Sequence, residues 1–246
     1  MRILICLMLG LTGCEAVDPH LSNAVANAMA NTSVKAAPNL NTAIQEKPTH
    51  ALKPTMKIQM DPKTLSLGLD YVVYEDGILD QKSGSEKAEF NINQVNKVWE
   101  QCQIHFSIRD YKLVKPSQYG LRSRTSDYQQ LQEIRTAFQP TSRAENNLLV
   151  VVTDNWNRSG SLGNTWANAW TNLPGEKLLG AVLERQVGDD IAIISHELGH
   201  YLSLDHEKDW KNLMSPLIFE SSRTLTPNQC ASARWAARTY FGVPEP

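Results

Sequence analysis

Four cysteines, a net charge close to zero and no apolar run long enough to cross a bilayer set the first limits on this 246-residue chain. A formal charge of −2 leaves no excess of basic residues to neutralise a phosphate backbone, which argues against nucleic-acid binding. The apolar run from Ile3 to Leu11 is too short to span a membrane as mature structure. No aromatic residue occurs between Glu15 and Thr55, where Asn, Ala, Thr, Ser and Pro dominate. Such a segment cannot bury enough apolar surface to offset its chain entropy, so residues 14–55 are expected to form a disordered tether. At full stretch ~40 residues reach on the order of 130 Å. No acidic loop with calcium-binding spacing is present. The remainder, from Met56 to Pro246, belongs to a chain with 41% apolar and 20% charged residues, a composition that fits one soluble globular domain.

The start of the chain reads as a targeting segment. Arg2 gives a positive end, the apolar run follows, and small residues close it at Gly13. Leu11-Thr12-Gly13-Cys14 resembles the bacterial lipobox. That resemblance implies a signal peptide over residues 1–13, cleavage before Cys14, and a diacylglyceryl group on its thiol. It also implies export to a bacterial membrane, and Glu15 at the next position points to the outer membrane or cell surface. An ordinary secretory signal with a nearby Cys, or a short anchor, is the alternative. With Cys6 removed and Cys14 lipidated, Cys102 and Cys230 remain as an even pair in an oxidising compartment. A disulfide between them is expected, against the alternative of two free buried thiols.

Periodicity places the main elements. Leu65 to Tyr74 alternates as a strand, with Leu65, Leu67, Leu69, Tyr71 and Val73 on one face. Helices are expected over Ala88–Gln101 and Ser126–Phe138, and strands over Ile104–Val114 and Asn147–Val152. Leu162–Trp170 and Gly180–Glu184 are further strands. Asp189 or Asp190 caps a helix starting near Ile191, and Thr226-Pro227 opens a last helix ending near Tyr240. Trp156, Trp166 and Trp170 fall close together, in the core or along a cleft.

Three of the six histidines lie within one short stretch, His196-Glu197-Leu198-Gly199-His200, followed by His206. Residues four apart share a helix face, so His196 and His200 can present two imidazoles to one Zn²⁺. Glu197 is adjacent and can reach a water on the metal without being a ligand. His206 is too far along for that face, so the helix must end near Ser203 and the chain must turn back. Three protein ligands leave one position open, the arrangement of a catalytic zinc. The plainer alternative is a buried helix with Ile191, Ile194, Leu198 and Tyr201 as its apolar stripe, which leaves the acid and the third histidine without a role.

The pattern resembles the metzincin zinc peptidases, whose signature is HExxHxxGxxH followed by a Met-containing turn. Asn212-Leu213-Met214-Ser215-Pro216 stands where that turn is expected and looks most like the turn of matrix metalloproteinases. The resemblance implies that Met214 forms an apolar floor under the imidazoles, whereas a Met in such a stretch taken alone reads as core filling. It implies an α/β (α+β) fold with a five-stranded mixed sheet, an antiparallel edge strand within Gly163–Trp170, a zinc-binding helix and a small C-terminal subdomain carrying the terminal helix. The domain would span residues 56–246. It also implies that extended peptide adds to the edge strand. Ser203 replaces the family's glycine at the turn after the helix, where φ > 0 is often required. No cysteine-switch motif is present in the tether.

These features describe a zinc-dependent endopeptidase with one Zn²⁺ on His196, His200 and His206, Glu197 as general base, and peptide or protein substrates, tethered to a bacterial membrane by its lipid. Two rivals remain open: a surface-binding lipoprotein with a non-catalytic metal site, and a zinc hydrolase of a non-protein amide such as a cell-wall bond.

Overall fold

Five strands form the central sheet: β1 (Leu65–Tyr74), β2 (Ile104–Val114), β3 (Leu148–Thr153), β4 (Ala169–Trp170) and β5 (Ala181–Glu184). Their order across the sheet is β2-β1-β3-β5-β4. The first four in that order are parallel, and β4 runs antiparallel to β5 at the edge. The computed structural model describes residues 4–5, 63–144, 147–164, 167–174 and 180–244. Contacts divide the chain into 1–8 with 60–246, and 9–59. Cys14 and nearly all of the expected signal peptide and tether lie outside the described residues, as does Trp166. Leu4–Ile5 pair antiparallel with Leu217–Ile218.

Every residue of β3 is buried, which explains its unbroken apolar run: successive side chains feed two cores. Leu148, Val150 and Val152 face α1 (Gln81–Trp99), α3 (Ile191–Tyr201) and α4 (Pro227–Phe241). Leu149 and Val151 face α2 (Tyr128–Ala144) through Leu131, Ile134 and Phe138. Helices thus cover both sides of the sheet, the arrangement that parallel strands require.

Several boundaries differ from the sequence reading. α1 begins at Gln81 rather than Ala88, because the Asp80 carboxylate accepts from Ser83 N at 2.7 Å and caps it there. α2 runs Tyr128–Ala144 instead of Ser126–Phe138. Among the described residues of the expected Leu162–Trp170 strand, Ala169–Trp170 form the strand, and Ser161–Asn164 form a 3₁₀ turn instead. Trp156 and Trp170 are core residues on the α2 side, and the Arg135 guanidinium lies 4.0 Å from the Trp170 ring centroid.

Cys102 and Cys230 are disulfide-bonded, with Cα atoms 4.8 Å apart. The bond joins the end of the α1 segment to the first turn of α4. Hydrogen bonds reinforce it there: Arg234 Nη1 donates to Gln103 O at 2.9 Å, and Leu225 N donates to Gln101 Oε1 at 2.9 Å.

Candidate metal centre

α3 is a short helix that is buried from Ala192 through Tyr201. Asp190 caps it, its carboxylate accepting from Ala192 N at 2.9 Å and Ile193 N at 3.2 Å. Asp189, the other sequence candidate for the cap, instead accepts from Lys87 Nζ at 2.6 Å and Asn91 Nδ2 at 2.9 Å, tying α3 to α1. Tyr201 docks the far end, where its hydroxyl donates to Leu149 O at 3.0 Å on β3.

The helix stops in a Schellman turn. Ser203 N donates to His200 O and Leu204 N to Gly199 O, both at 3.0 Å, and Ser203 takes φ 61°. This left-handed residue reverses the chain toward His206 and satisfies carbonyls that the helix end leaves open. A Cβ in that conformation costs ~1–2 kcal/mol, which glycine avoids. Ser203→Gly is therefore expected to stabilise the fold by about 0.5–1 kcal/mol after the extra unfolded-state entropy is subtracted. Ser203→Val should destabilise it, because a β-branched residue fits φ > 0 worse. Thermal melts of the three proteins decide this, and equal midpoints would show that the turn makes no backbone demand.

The turn brings the three histidines together. Their ring centroids are 4.5 Å (His196–His200), 4.9 Å (His200–His206) and 5.3 Å (His196–His206) apart. One nitrogen from each lies within 4.8 Å of the others, a spacing that could hold one metal ion. His196 Nδ1 lies 2.7 Å from Leu213 O and His200 Nδ1 lies 2.7 Å from Leu204 O. A carbonyl can only accept, so both Nδ1 atoms carry the proton and both Nε2 atoms keep their lone pair. The Nε2 atoms of His196, His200 and His206 are buried and have no hydrogen-bond partner. Burial lowers the pKa of all three rings, that of His200 to about 3, with charge repulsion among the imidazoles adding to the effect on His196 and His200. The rings are thus neutral at pH 7, the form a metal needs.

Both carbonyls that orient these rings lie in loops. Leu204 is in the turn that brings in His206, and Leu213 precedes Met214. Met214 is fully buried against Gly199, where an added Cβ would collide with the Met214 sulfur. Asn212 fixes this turn: its Oδ1 accepts from Met214 N at 2.9 Å, while its Nδ2 donates to Gln229 Oε1 at 2.8 Å. Gln229 also completes the capping box that starts α4 with Thr226. The terminal helix therefore supports the loop whose carbonyl orients His196.

Glu197 is 2% exposed, and Thr171, just past β4, donates a hydrogen bond from Oγ1 to Glu197 Oε2. The strand leading to Thr171 is held from behind. Arg135, itself fully buried, donates to Trp170 O at 2.9 Å and Gly180 O at 2.7 Å. Arg158 bonds Ala167 O at 2.9 Å and pairs with Glu184 at 2.7 Å. Glu184 N donates to Asn168 O at 2.8 Å, and Trp170 lies opposite Val182. Antiparallel alternation then turns the Ala169 backbone groups outward at the sheet's edge. The sequence motif contained the histidines and Glu197 but gave no sign of Thr171, Asn212 or the two orienting carbonyls.

Residues 86–207 match the family model described as Metallo-peptidase family M12B Reprolysin-like. The matched stretch contains all three histidines and Glu197, so the metallopeptidase resemblance read from the motif stands, on the family match and on the convergent triad alike. No curated protein matches the chain. Among solved structures, a chain from the structure of a chaperone-substrate complex superposes with a TM-score of 0.51 at 12% identity, over 72% of this chain and 35% of that one. Metalloproteinase-II from Bacteroides fragilis gives a TM-score of 0.44 at 14% identity, over 86% of this chain and 60% of that one. This chain therefore spans less than two thirds of either neighbour's length. The first likeness extends to the fold alone.

Proposed function

We propose that the protein is a zinc-dependent endopeptidase, exported and held at a bacterial membrane by a lipid on Cys14. One observation carries the catalytic reading: three neutral imidazoles aim partnerless, buried Nε2 atoms at one point beside a buried carboxylate. Three nitrogens within 4.8 Å of one another and an adjacent acid suit Zn²⁺, with His196, His200 and His206 as ligands. When bound, zinc supplies Lewis-acid polarisation of the scissile carbonyl and a lowered pKa for the attacking water.

The chain's own residues do the rest. Leu204 O and Leu213 O hold two rings in the tautomer that offers Nε2, and Met214 closes the floor beneath them. Glu197 takes a proton from the attacking water and passes it to the leaving amine nitrogen. The outward groups of β4 seat an extended peptide as an added strand. This edge favours peptide over a cell-wall amide, and the acid beside the ligands favours a hydrolase over a non-catalytic metal site.

A proteomic cleavage profile of the purified protein, with and without chelator, tests this reading. New protein termini that vanish with chelator are expected. Release of cell-wall fragments without new protein termini would replace the peptidase by an amidase.

Acid should weaken the metal-free protein. The folded state depresses the histidine pKa values below their unfolded value of about 6.5, so the unfolded chain binds more protons between the two. Stability is full above about 6.5 and falls as pH drops toward the folded value of His200, about 3. Urea melts of metal-stripped protein at pH 7.5, 6 and 5 should show midpoints falling in that order. A flat profile would mean that the imidazoles are not buried as described.

Membrane attachment has its own test. Cys14→Ser is expected to release the protein from membranes or to block its processing. Fractionation with a labelled fatty acid reads this out, and an unlabelled, freely secreted wild type would overturn the lipid anchor. Among the described residues no helix is long and apolar enough to cross a membrane.

A further inference from the structure

We propose that Thr171 is a positioning residue for the base, aiming the Glu197 carboxylate from the end of the edge strand. The inference rests on the reading of Glu197 as the proton acceptor and deepens it.

Thr171 and Glu197 are 1% and 2% exposed, and Thr171 Oγ1 donates to Glu197 Oε2. The bond joins two separate elements, the segment leaving β4 and the middle of α3, so it is not a by-product of helix geometry. A glutamate on a helix has its backbone fixed, but its terminal torsion is broad and roughly two-fold. His196 and His200 each have a carbonyl to orient them, and Thr171 supplies the corresponding constraint for the acid. By holding Oε2 it fixes the rotation of the carboxyl group and hence the directions in which both oxygens present lone pairs.

The donor is itself well placed. Thr is β-branched and stiff at χ1. The preceding residue is pinned by the bond from Arg135 Nη2 to Trp170 O at 2.9 Å. Side chains alternate along a strand, so Thr171 shares the sheet face of Ala169, the face that α3 covers. Ala169, two residues before it, turns its own backbone groups toward the open edge. The edge strand that would seat the substrate therefore also ends on the residue that aims the base. A peptide seated along β4 and the carboxylate that acts on it would share a single reference point.

The test uses the full-length protein with its zinc, three substitutions and a peptide substrate. Thr171→Val keeps the shape and removes the donor. It is expected to lower kcat about 10- to 100-fold, the usual scale for supporting groups of a metal site, with KM and bound zinc per chain unchanged. Thr171→Ser keeps the hydroxyl and should restore most of kcat. In an E197Q background, T171V should cause no further loss, because both changes act through one carboxyl group. Should T171V fail to fold, T171A takes its place in the same comparison.

Wild-type kcat in T171V, with E197Q inactive, would overturn the role of Thr171 and leave the base intact. Full activity in both T171V and E197Q would instead remove the reading of Glu197 on which the proposal stands. Loss of zinc in T171V, or equal losses in T171V and T171S, would make Thr171 a structural residue and also overturn the proposal.

Discussion

Glu197→Ala is expected to abolish peptide hydrolysis while one zinc per chain stays bound. A general base contributes about 10²–10⁴-fold, and the change removes the carboxylate without touching a ligand nitrogen. Ligation survives because the three Nε2 atoms are placed by α3, the Schellman turn and the Leu213 and Leu204 carbonyls, none of which uses the Glu197 side chain. The substitution has a structural cost. It leaves the buried Thr171 hydroxyl without its acceptor, at about 1–3 kcal/mol, so metal content and a thermal melt belong in the same experiment as the assay. Glu197→Gln, which preserves shape, should be equally inactive with a smaller loss of stability. Retained hydrolysis would remove the mechanism, and lost zinc would recast Glu197 as structural support.

Breaking the disulfide should produce the largest loss of stability of any substitution considered. Cys102 and Cys230 are 128 residues apart, and the closed loop holds β2 through β5 together with α3 and the whole metal centre. In the chain-entropy model a loop of this length contributes about 4–5 kcal/mol. Cys102→Ser with Cys230→Ser should therefore unfold at much lower denaturant than the wild type. The site should loosen from the C-terminal side, because the link to α4 also steadies Gln229 and, through Asn212, the Met214 turn. A metal held only by the folded state would raise apparent stability, so the comparison requires metal-free protein. Unchanged melting of the double variant would show that the hydrogen bonds of Gln101 and Arg234 suffice to hold this junction.

The sequence carried those parts of the site that depend on spacing within one element. Two histidines one helix turn apart, an adjacent acid and a third histidine beyond the helix were all visible in order along the chain. Ser203 was marked only through the family resemblance, as standing where a glycine often takes φ > 0, and the structure gives it φ 61°. The parts that were not legible come from elsewhere in the fold. The carbonyls of Leu204 and Leu213 have no residue signature, since every residue has one. Thr171 meets Glu197 only because a two-residue edge strand ends beside the middle of α3.

The fold followed the same division. β1, β2 and β3 were readable from alternation and from an unbroken apolar run. The start of α1 was missed because Gln81 to Lys87 is largely polar, and its cap at Asp80 outweighs the weak pattern. The edge strand was placed in the right region but overextended, because Leu162 is buried in a 3₁₀ turn that an apolar pattern cannot tell from a strand.

Stepwise metal reconstitution decides whether cleavage depends on one zinc per chain. Full-length protein is stripped with chelator, titrated with zinc, and assayed on a peptide library at each addition while bound metal is measured. No cleavage is expected without metal, and cleavage should rise in proportion to occupancy and saturate at one zinc per chain. Cleavage that persists in stripped protein, or a fully zinc-loaded protein that cuts no peptide, would contradict the reading as a zinc peptidase.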